Sequence, residues 1–137
     1  MIVGVERFFK AAIVDRNSSI ASAALVSSYH LHPISRDVIK RWANEAQEAI
    51  STKSSGGNMG YGSAHQAGYQ AVQSNSSITQ YHALGLLYLI RQSDRMAVTK
   101  MIQQLSGNKG QSGMLRSPYA ICMLIRFAVK VMEDDPK

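Results

Sequence analysis

Cysteine, proline and tryptophan are scarce in this 137-residue sequence, which contains one Cys, three Pro and one Trp. A single cysteine excludes an internal disulfide, so the chain is not one of the small secreted domains that disulfides hold together. Cys122 lies in the apolar run AICMLIRFAV. We therefore expect it to be a small buried hydrophobe and not a nucleophile.

The sequence also shows no pattern typical of a membrane-spanning segment or of a secretory leader. No apolar run reaches the roughly 18 residues that a transmembrane helix needs. The opening MIVGVERFFK carries an acid at Glu6 and has no small-residue cleavage site after it. The sequence therefore predicts a soluble, cytoplasmic chain, and its 45% hydrophobic content is that of an ordinary globular domain.

No spacing of residues points to catalysis or to a metal. His30 and His32 form HLH without a third ligand nearby, which favours surface or helix-end histidines. His82 lies among apolar residues, which favours a hydrogen-bonded core histidine over a catalytic base. The glycine-rich GGNMGYG lacks the Lys-Ser/Thr of a phosphate-binding loop. We expect no enzymatic activity, no cofactor and no metal.

Basic residues exceed acidic ones, but they are scattered. The net charge is +6 and the pI is about 9.7, which suits an acidic partner or an anionic membrane surface. No run of Lys and Arg exists, and the aromatic-rich stretch belongs to a helix that we expect to be buried. Nucleic-acid binding is therefore disfavoured, because bases need accessible aromatic platforms.

The stretch 75–105 predicts two helices joined by a very short turn at residues 92–94. The first, over residues 78–91, is apolar nearly all the way round, so neighbours must cover it on several sides. In the second, Val98, Met101, Ile102 and Leu105 follow the spacing of one helix face, and the remaining residues are polar. A buried helix followed by an amphipathic helix is the unit of a stacked α-hairpin array.

Four other segments have helical periodicity. Residues 3–14 carry an apolar stripe of Val5, Phe8, Phe9 and Ala12, and residues 20–31 are rich in small side chains suited to close helix packing. Residues 36–50 predict one helix in which Arg41 and Glu45 can pair. Residues 119–132 again read as a helix of the buried type, after a Ser-Pro start that suits a helix N-terminus.

An internal repeat relates the two halves of the chain. NSSI recurs after about 58 residues, and with one residue of slip Ala24-Leu25 matches Ala83-Leu84. Residues 51–74 are rich in Gly, Ser, Gln and Asn and predict a flexible polar insertion. Without it, the period approaches the ~40–47 residues of HEAT and armadillo repeats. We predict an all-α, HEAT/armadillo-like α-solenoid of about six to seven helices, with residues 1–137 forming part of one longer solenoid domain.

Four basic residues fall at corresponding places in the two repeats, namely Arg36, Lys40, Arg95 and Lys100. Stacking of the repeats would align them, so we interpret them as a candidate partner-binding strip. The alternative is that they serve only solubility and the helix ends. The apolar ends expected of such a solenoid segment also favour a homo-oligomer of the isolated chain.

Several long phrases resemble the N-terminal trunk of the coatomer gamma-subunit family, part of the COPI vesicle coat. They include ERFFKAAIVDRNSSIASAALVSSYHL, DVIKRWANEAQEA, QYHALGLLYLIRQSDRMAVTKMI and SPYAICMLIR. The resemblance covers residues 1–50 and 75–133, and the chain departs from it in the insertion. It implies a HEAT-like solenoid without enzymatic activity.

The same resemblance implies partners and a location. The expected partners are the zeta, beta and delta coatomer subunits and a GTP-bound Arf-family GTPase. The expected place is the cytoplasmic face of Golgi membranes and COPI-coated vesicles, in Golgi-to-ER retrograde and intra-Golgi transport. The alternative is a HEAT-repeat binding module of another trafficking adaptor or of a transport receptor.

Overall fold

The computed structural model describes residues 2–51, 77–107 and 115–133, with side chains from residue 4 onward. Within these ranges the chain forms seven α-helices, which confirms the all-α prediction. They are α1 Ile2–Ile13, α2 Ser18–Leu31, α3 Arg36–Lys40, α4 Ala43–Ser51, α5 Ser77–Arg91, α6 Arg95–Ser106 and α7 Pro118–Glu133. The predicted insertion 51–74 lies outside the described residues, except for Ser51 at the end of α4.

Helix α5 is the centre of the fold. It packs against α2, α4, α6 and α7, and eight of its 15 residues are buried. Of its apolar side chains, only Ile78 in the first turn is largely exposed, at 46%. Because neighbours cover α5 on several sides, the prediction of a helix without a wet face is confirmed.

The helices form two rows. One row is α2, α5 and α7, with α5 between its two neighbours, and the other contains α1, α4 and α6. Helix α1 packs on α2 and α4, while α4 packs on α5 and α6 on α7. Each row therefore covers the apolar face of the other, which is the architecture of a stacked helical solenoid.

Side-chain contacts fix the direction of the first row. Ser22 and Thr79, near the starts of α2 and α5, share a hydrogen bond of 2.9 Å between their hydroxyls. Tyr29, near the end of α2, donates to the backbone oxygen of His82 further along α5 at 2.8 Å. The pairing advances along both helices together, so α2 and α5 run parallel and finish at the same end of the bundle.

The packed pairs differ from the expected hairpins. The turn at residues 92–94 is as short as predicted, yet α6 makes more extensive contact with α7 than with α5. Similarly, α4 packs mainly against α5, which follows it across residues 52–76. Each short turn carries the chain from one row to the other. The two helices that it joins therefore share less surface with each other than with helices of the neighbouring repeat.

The predicted helix 36–50 is interrupted. The backbone N–H groups of Arg41 and Trp42 bond to carbonyls three residues earlier, at 3.1 and 3.0 Å, and so separate α3 from α4. The tighter turn brings Trp42 against Phe9 of α1, with ring centroids 5.2 Å apart and 16° between the planes. Trp42 is fully buried, so the stacked pair contributes both apolar burial and an aromatic contact.

The expected Arg41–Glu45 pair within one helix is also wrong. Arg41 instead donates two hydrogen bonds to the Glu6 carboxylate of α1, at 3.1 and 2.6 Å. Glu45 lies 3.2 Å from the ammonium of Lys10, also on α1. The interruption between α3 and α4 turns these side chains away from each other and toward α1, where the two ion pairs brace the end of the second row.

Side-chain caps begin three of the described helices, and the one at α7 is the predicted Ser-Pro start. The side-chain oxygens of Asn17 and Asp94 accept hydrogen bonds from the N–H groups of Ser19 and Ala97, at 2.9 and 3.0 Å. The hydroxyl of Ser117 accepts from the N–H of Ala120 at 3.3 Å, and Pro118 takes the first helical position. These caps satisfy donors that a helix leaves unpaired at its start.

Two apolar stripes are less covered than the sequence suggested. On α1, Phe9 and Ala12 pack against the core, but Val5 and Phe8 are 43% and 59% exposed. On α7, only Ala120 and Leu124 are buried, and Cys122 is exposed, so its prediction as a core residue is wrong. Among the described helices only α5 and α6 pack extensively on α7, and they reach one side of it.

Candidate interaction surfaces

The four predicted strip residues are all exposed. Arg36 and Lys40 are the first and last residues of α3. Arg95 is the first residue of α6, and Lys100 lies in the second turn of that helix. Because α2 and α5 end together, the turns that follow them bring the starts of α3 and α6 to one end of the bundle. The structure thus brings Arg36 and Arg95 to the same end, and their role in binding stays a prediction.

His32 lies between the strip and the core. It follows α2 as its C-terminal cap, and its backbone N–H donates to the oxygen of Ser28 at 3.0 Å. Burial lowers the pKa of His32, and the positive charges of Arg36 and Lys40 lower it further. Both cations therefore act on one imidazole, which remains neutral near pH 7.

The two histidines of the HLH motif differ in their exposure to solvent. His30 is exposed and His32 is buried, so the two side chains stand in different environments. Across the described ranges, no group of three His, Cys, Asp or Glu side chains could hold a metal ion. In the same ranges, no helix is long and apolar enough to cross a bilayer.

The aromatic side chains of α5 pack between helices. Tyr81 meets Tyr119 edge-on at 6.3 Å, and Tyr88 stacks on Phe127 with centroids 3.7 Å apart. Burial lowers the pKa of His82, so it is a neutral, half-buried side chain beside Tyr81. These contacts make His82 a packing residue, although it is only half-buried where a core position was expected.

Tyr29 occupies a close approach between α2 and α5. A Cβ at Gly85 would collide with the Tyr29 hydroxyl and would lie 3.2 Å from its Cζ, so only glycine leaves room for this ring. Burial raises the pKa of Tyr29, and the phenol therefore remains protonated and donates to His82. The contact positions the two helices and offers no reactive group.

A groove of about 720 Å³ runs between α5 and α7. Its lining joins tyrosines and aliphatic side chains to Arg126, Lys130 and Glu133, and Cys122 is part of it. Sequence reasoning missed this groove because it expected α7 to be buried on all sides. The regular spacing of Ile121, Ile125, Val129 and Met132 along α7 was the signal that a second apolar face exists.

A family model described as the adaptin N terminal region matches residues 3–137. The chain belongs to the adaptin N-terminal region family. Nearly every residue of the chain is included in the match, so the two helical rows described above are those of an adaptin-type chain. The predicted α-solenoid class is confirmed by this membership together with the seven described helices.

Individual relatives show which adaptin-type proteins the chain resembles. The chain is 46% identical over 135 residues to the probable coatomer subunit gamma of Caenorhabditis elegans. It is 45% identical over 135 residues to the coatomer subunit gamma of Drosophila melanogaster, and 46% identical over 134 residues to the coatomer subunit gamma-2 of Xenopus tropicalis. Each alignment covers 98% of this adaptin-type chain and 12% of the relative. The resemblance to coatomer gamma subunits that the sequence motifs predicted is confirmed.

Proposed function

We propose that this chain is a structural segment of the COPI vesicle coat and acts by binding proteins, without catalysis. The observation that carries the proposal is the 45–46% identity to coatomer gamma subunits over 98% of the chain. The chain spans 12% of those relatives, so the proposal concerns one part of a coat trunk. Residues 1–137 then belong to one solenoid domain, interrupted by the insertion at residues 51–74.

The packing is consistent with a scaffold. The core joins residues from all of the larger described helices into one apolar cluster, and α5 is held from four directions. Such stacking makes a rigid rod whose outer faces stay accessible, and a rod of this kind binds partners without a pocket. The uncovered face of α7 is then a stacking surface, through which copies of the isolated chain would associate.

The proposed cellular role follows from the relatives. The chain works on the cytoplasmic face of Golgi membranes and on COPI-coated vesicles, in retrograde Golgi-to-ER and intra-Golgi transport. Its partners are the zeta, beta and delta subunits of coatomer and a GTP-bound Arf-family GTPase. Arg36, Lys40, Arg95 and Lys100 form a docking strip, supported by their exposure and by the shared end of α2 and α5.

Co-purification tests this role. The tagged chain is incubated with purified beta, delta and zeta subunits and with a GTP-locked Arf-family GTPase, and the retained proteins are identified. We expect at least one coatomer subunit to be retained by the chain, and the full trunk that contains it to retain all three. Absence of every subunit from both samples would reject the coat assignment.

A further inference from the structure

Two large apolar side chains protrude among the cations of the docking strip. Ile34, in the turn between α2 and α3, is 73% exposed, and Met96, in the first turn of α6, is 69% exposed. Arg36 and Lys40 follow Ile34, while Arg95 and Lys100 flank Met96. The same combination of a protruding hydrophobe and two cations therefore occurs in both repeats.

Both groups lie at one end of the bundle. The parallel course of α2 and α5 is established by the Ser22–Thr79 and Tyr29–His82 hydrogen bonds, and each group begins where one of these helices ends. Helices α2 and α5 pack on each other, and packed helix axes are about 8–10 Å apart, so the two groups begin at adjacent positions of the row. The opposite end, where α2 and α5 begin, has Arg16, Ile20 and Ile78 at its surface.

The charge at this end is positive overall. Four cations stand against the carboxylates of Asp37 and Asp94, and the Asp94 side chain caps α6 through the N–H of Ala97 at 3.0 Å. Arg41, next in the chain, is paired with Glu6 and adds little to the outward field.

We propose that this end of the chain contacts an anionic lipid bilayer directly, with Ile34 and Met96 entering the headgroup region and the four cations facing lipid phosphates and carboxylates. The proposal rests on the coat function above and assigns the docking strip a lipid surface as its partner. Protruding apolar tips surrounded by cations suit a bilayer. An acidic protein partner would be held at a recessed, desolvated centre, whereas Ile34 and Met96 both protrude, at 73% and 69% exposure.

The contact is weak in a single chain. A Lys or Arg beside an anionic surface strengthens binding about fivefold, and each buried methylene strengthens it about fourfold. Weak contacts become effective where many copies of a chain are held on one membrane, since each further contact is then intramolecular. Direct lipid contact would thus give an isolated chain a weak, measurable affinity for anionic vesicles and would orient an assembled coat on the membrane.

Vesicle flotation of the purified chain, without any other protein, tests the proposal. The vesicles are phosphatidylcholine alone or phosphatidylcholine with phosphatidylserine. The Arg36→Gln/Arg95→Gln variant is compared with Arg16→Gln/Arg126→Gln, which has the same net charge. The Ile34→Ser/Met96→Ser variant is compared with Ile20→Ser/Ile78→Ser at the opposite end, and circular dichroism verifies that all four fold.

We expect the native chain to float with anionic vesicles, less so as salt is added, and to stay behind with neutral ones. The strip variant should bind about 25-fold more weakly, at about fivefold for each of its two lost cations. The apolar variant should bind at least about 16-fold more weakly, at about fourfold for one methylene withdrawn from each of its two side chains. Both controls should lose less. Equal losses in variants and controls would overturn the proposal. So would unchanged flotation of the strip variant together with lost retention of a coatomer subunit, which would make the partner a protein. Because flotation uses lipid alone, its failure leaves the co-purification result separate.

Discussion

Replacing Gln80 by methionine should destabilise the chain, because this buried glutamine joins three elements. It is 4% exposed on α5. Its Nε2 donates to the backbone oxygen of Ile50 at the end of α4, at 3.2 Å. Its Oε1 accepts from the backbone N–H groups of Arg116 and Ser117, just before α7, at 2.9 and 3.2 Å. Methionine has similar length and no group that can replace these bonds.

The expected loss follows from the groups left unpaired. A buried donor or acceptor without a partner costs about 1–3 kcal/mol. The N–H of Ser117 and the oxygen of Ile50 belong to fully buried residues, whereas Arg116 is exposed and water can reach its N–H. Two unpaired groups cost about 2–6 kcal/mol, and a gain of about 1 kcal/mol from the apolar side chain leaves a loss of about 1–5 kcal/mol in the free energy of unfolding.

Urea unfolding followed by circular dichroism measures this difference. Gln104→Met is the matched control, because Gln104 is an exposed glutamine on α6, and its effect should stay within about 0.5 kcal/mol. Gln80→Glu should lose at least as much, since its carboxylate would be buried and would place a second oxygen opposite the Ile50 oxygen, which Nε2 now contacts at 3.2 Å. A loss below about 1 kcal/mol for Gln80→Met would refute the idea that these bonds hold the three elements together.

Three further results are expected. Gly85→Ala should lower the free energy of unfolding by about 1–3 kcal/mol, because the new methyl group displaces Tyr29. In a double-mutant cycle, the same substitution should cost less in a Tyr29→Phe background, which lacks the hydroxyl. Equal losses in the two backgrounds would contradict the collision. The Arg41 guanidinium lowers the pKa of Glu6, so Glu6→Gln should destabilise the chain at neutral pH, with a difference that vanishes as the pH falls through the folded-state pKa. Burial, Arg36 and Lys40 lower the pKa of His32 in the folded chain. The stability that its neutral imidazole contributes is therefore complete above the pKa of the unfolded chain, and it is lost as the pH falls from there through the lower folded-state pKa. A His32 resonance that titrates at or above the free imidazole pKa in NMR would contradict this.

The helices were largely predictable because their signals are local. Apolar spacing located α2, α5 and α6 to within two residues at each end, and the Ser-Pro pair located the start of α7. The repeat then implied stacking before any contact was known. Local patterns of this kind depend on neighbours three or four residues away, which a sequence displays directly.

The candidate site was less predictable. The positions of Arg36 and Arg95 in matching repeats suggested a shared location, but only the parallel course of α2 and α5 brought them to one end. Ile34 and Met96 carried no signal, because a single apolar residue near a helix start is equally compatible with burial and exposure. Their protrusion depends on which sides of α3 and α6 the other helices cover.

The amino-acid sequence determined the helical class, the repeat and the family, since these depend on periodicity and on long ordered motifs. Tertiary structure decided where the helix 36–50 breaks, which cations pair, and which face of α7 stays open. Trp42 turns inward because Phe9 of another helix is there to stack on, and Arg41 pairs with Glu6 from a distance of 35 residues. These outcomes depend on which side chains of other helices lie nearby. The energies of such contacts are of the same order as the local preferences that they override.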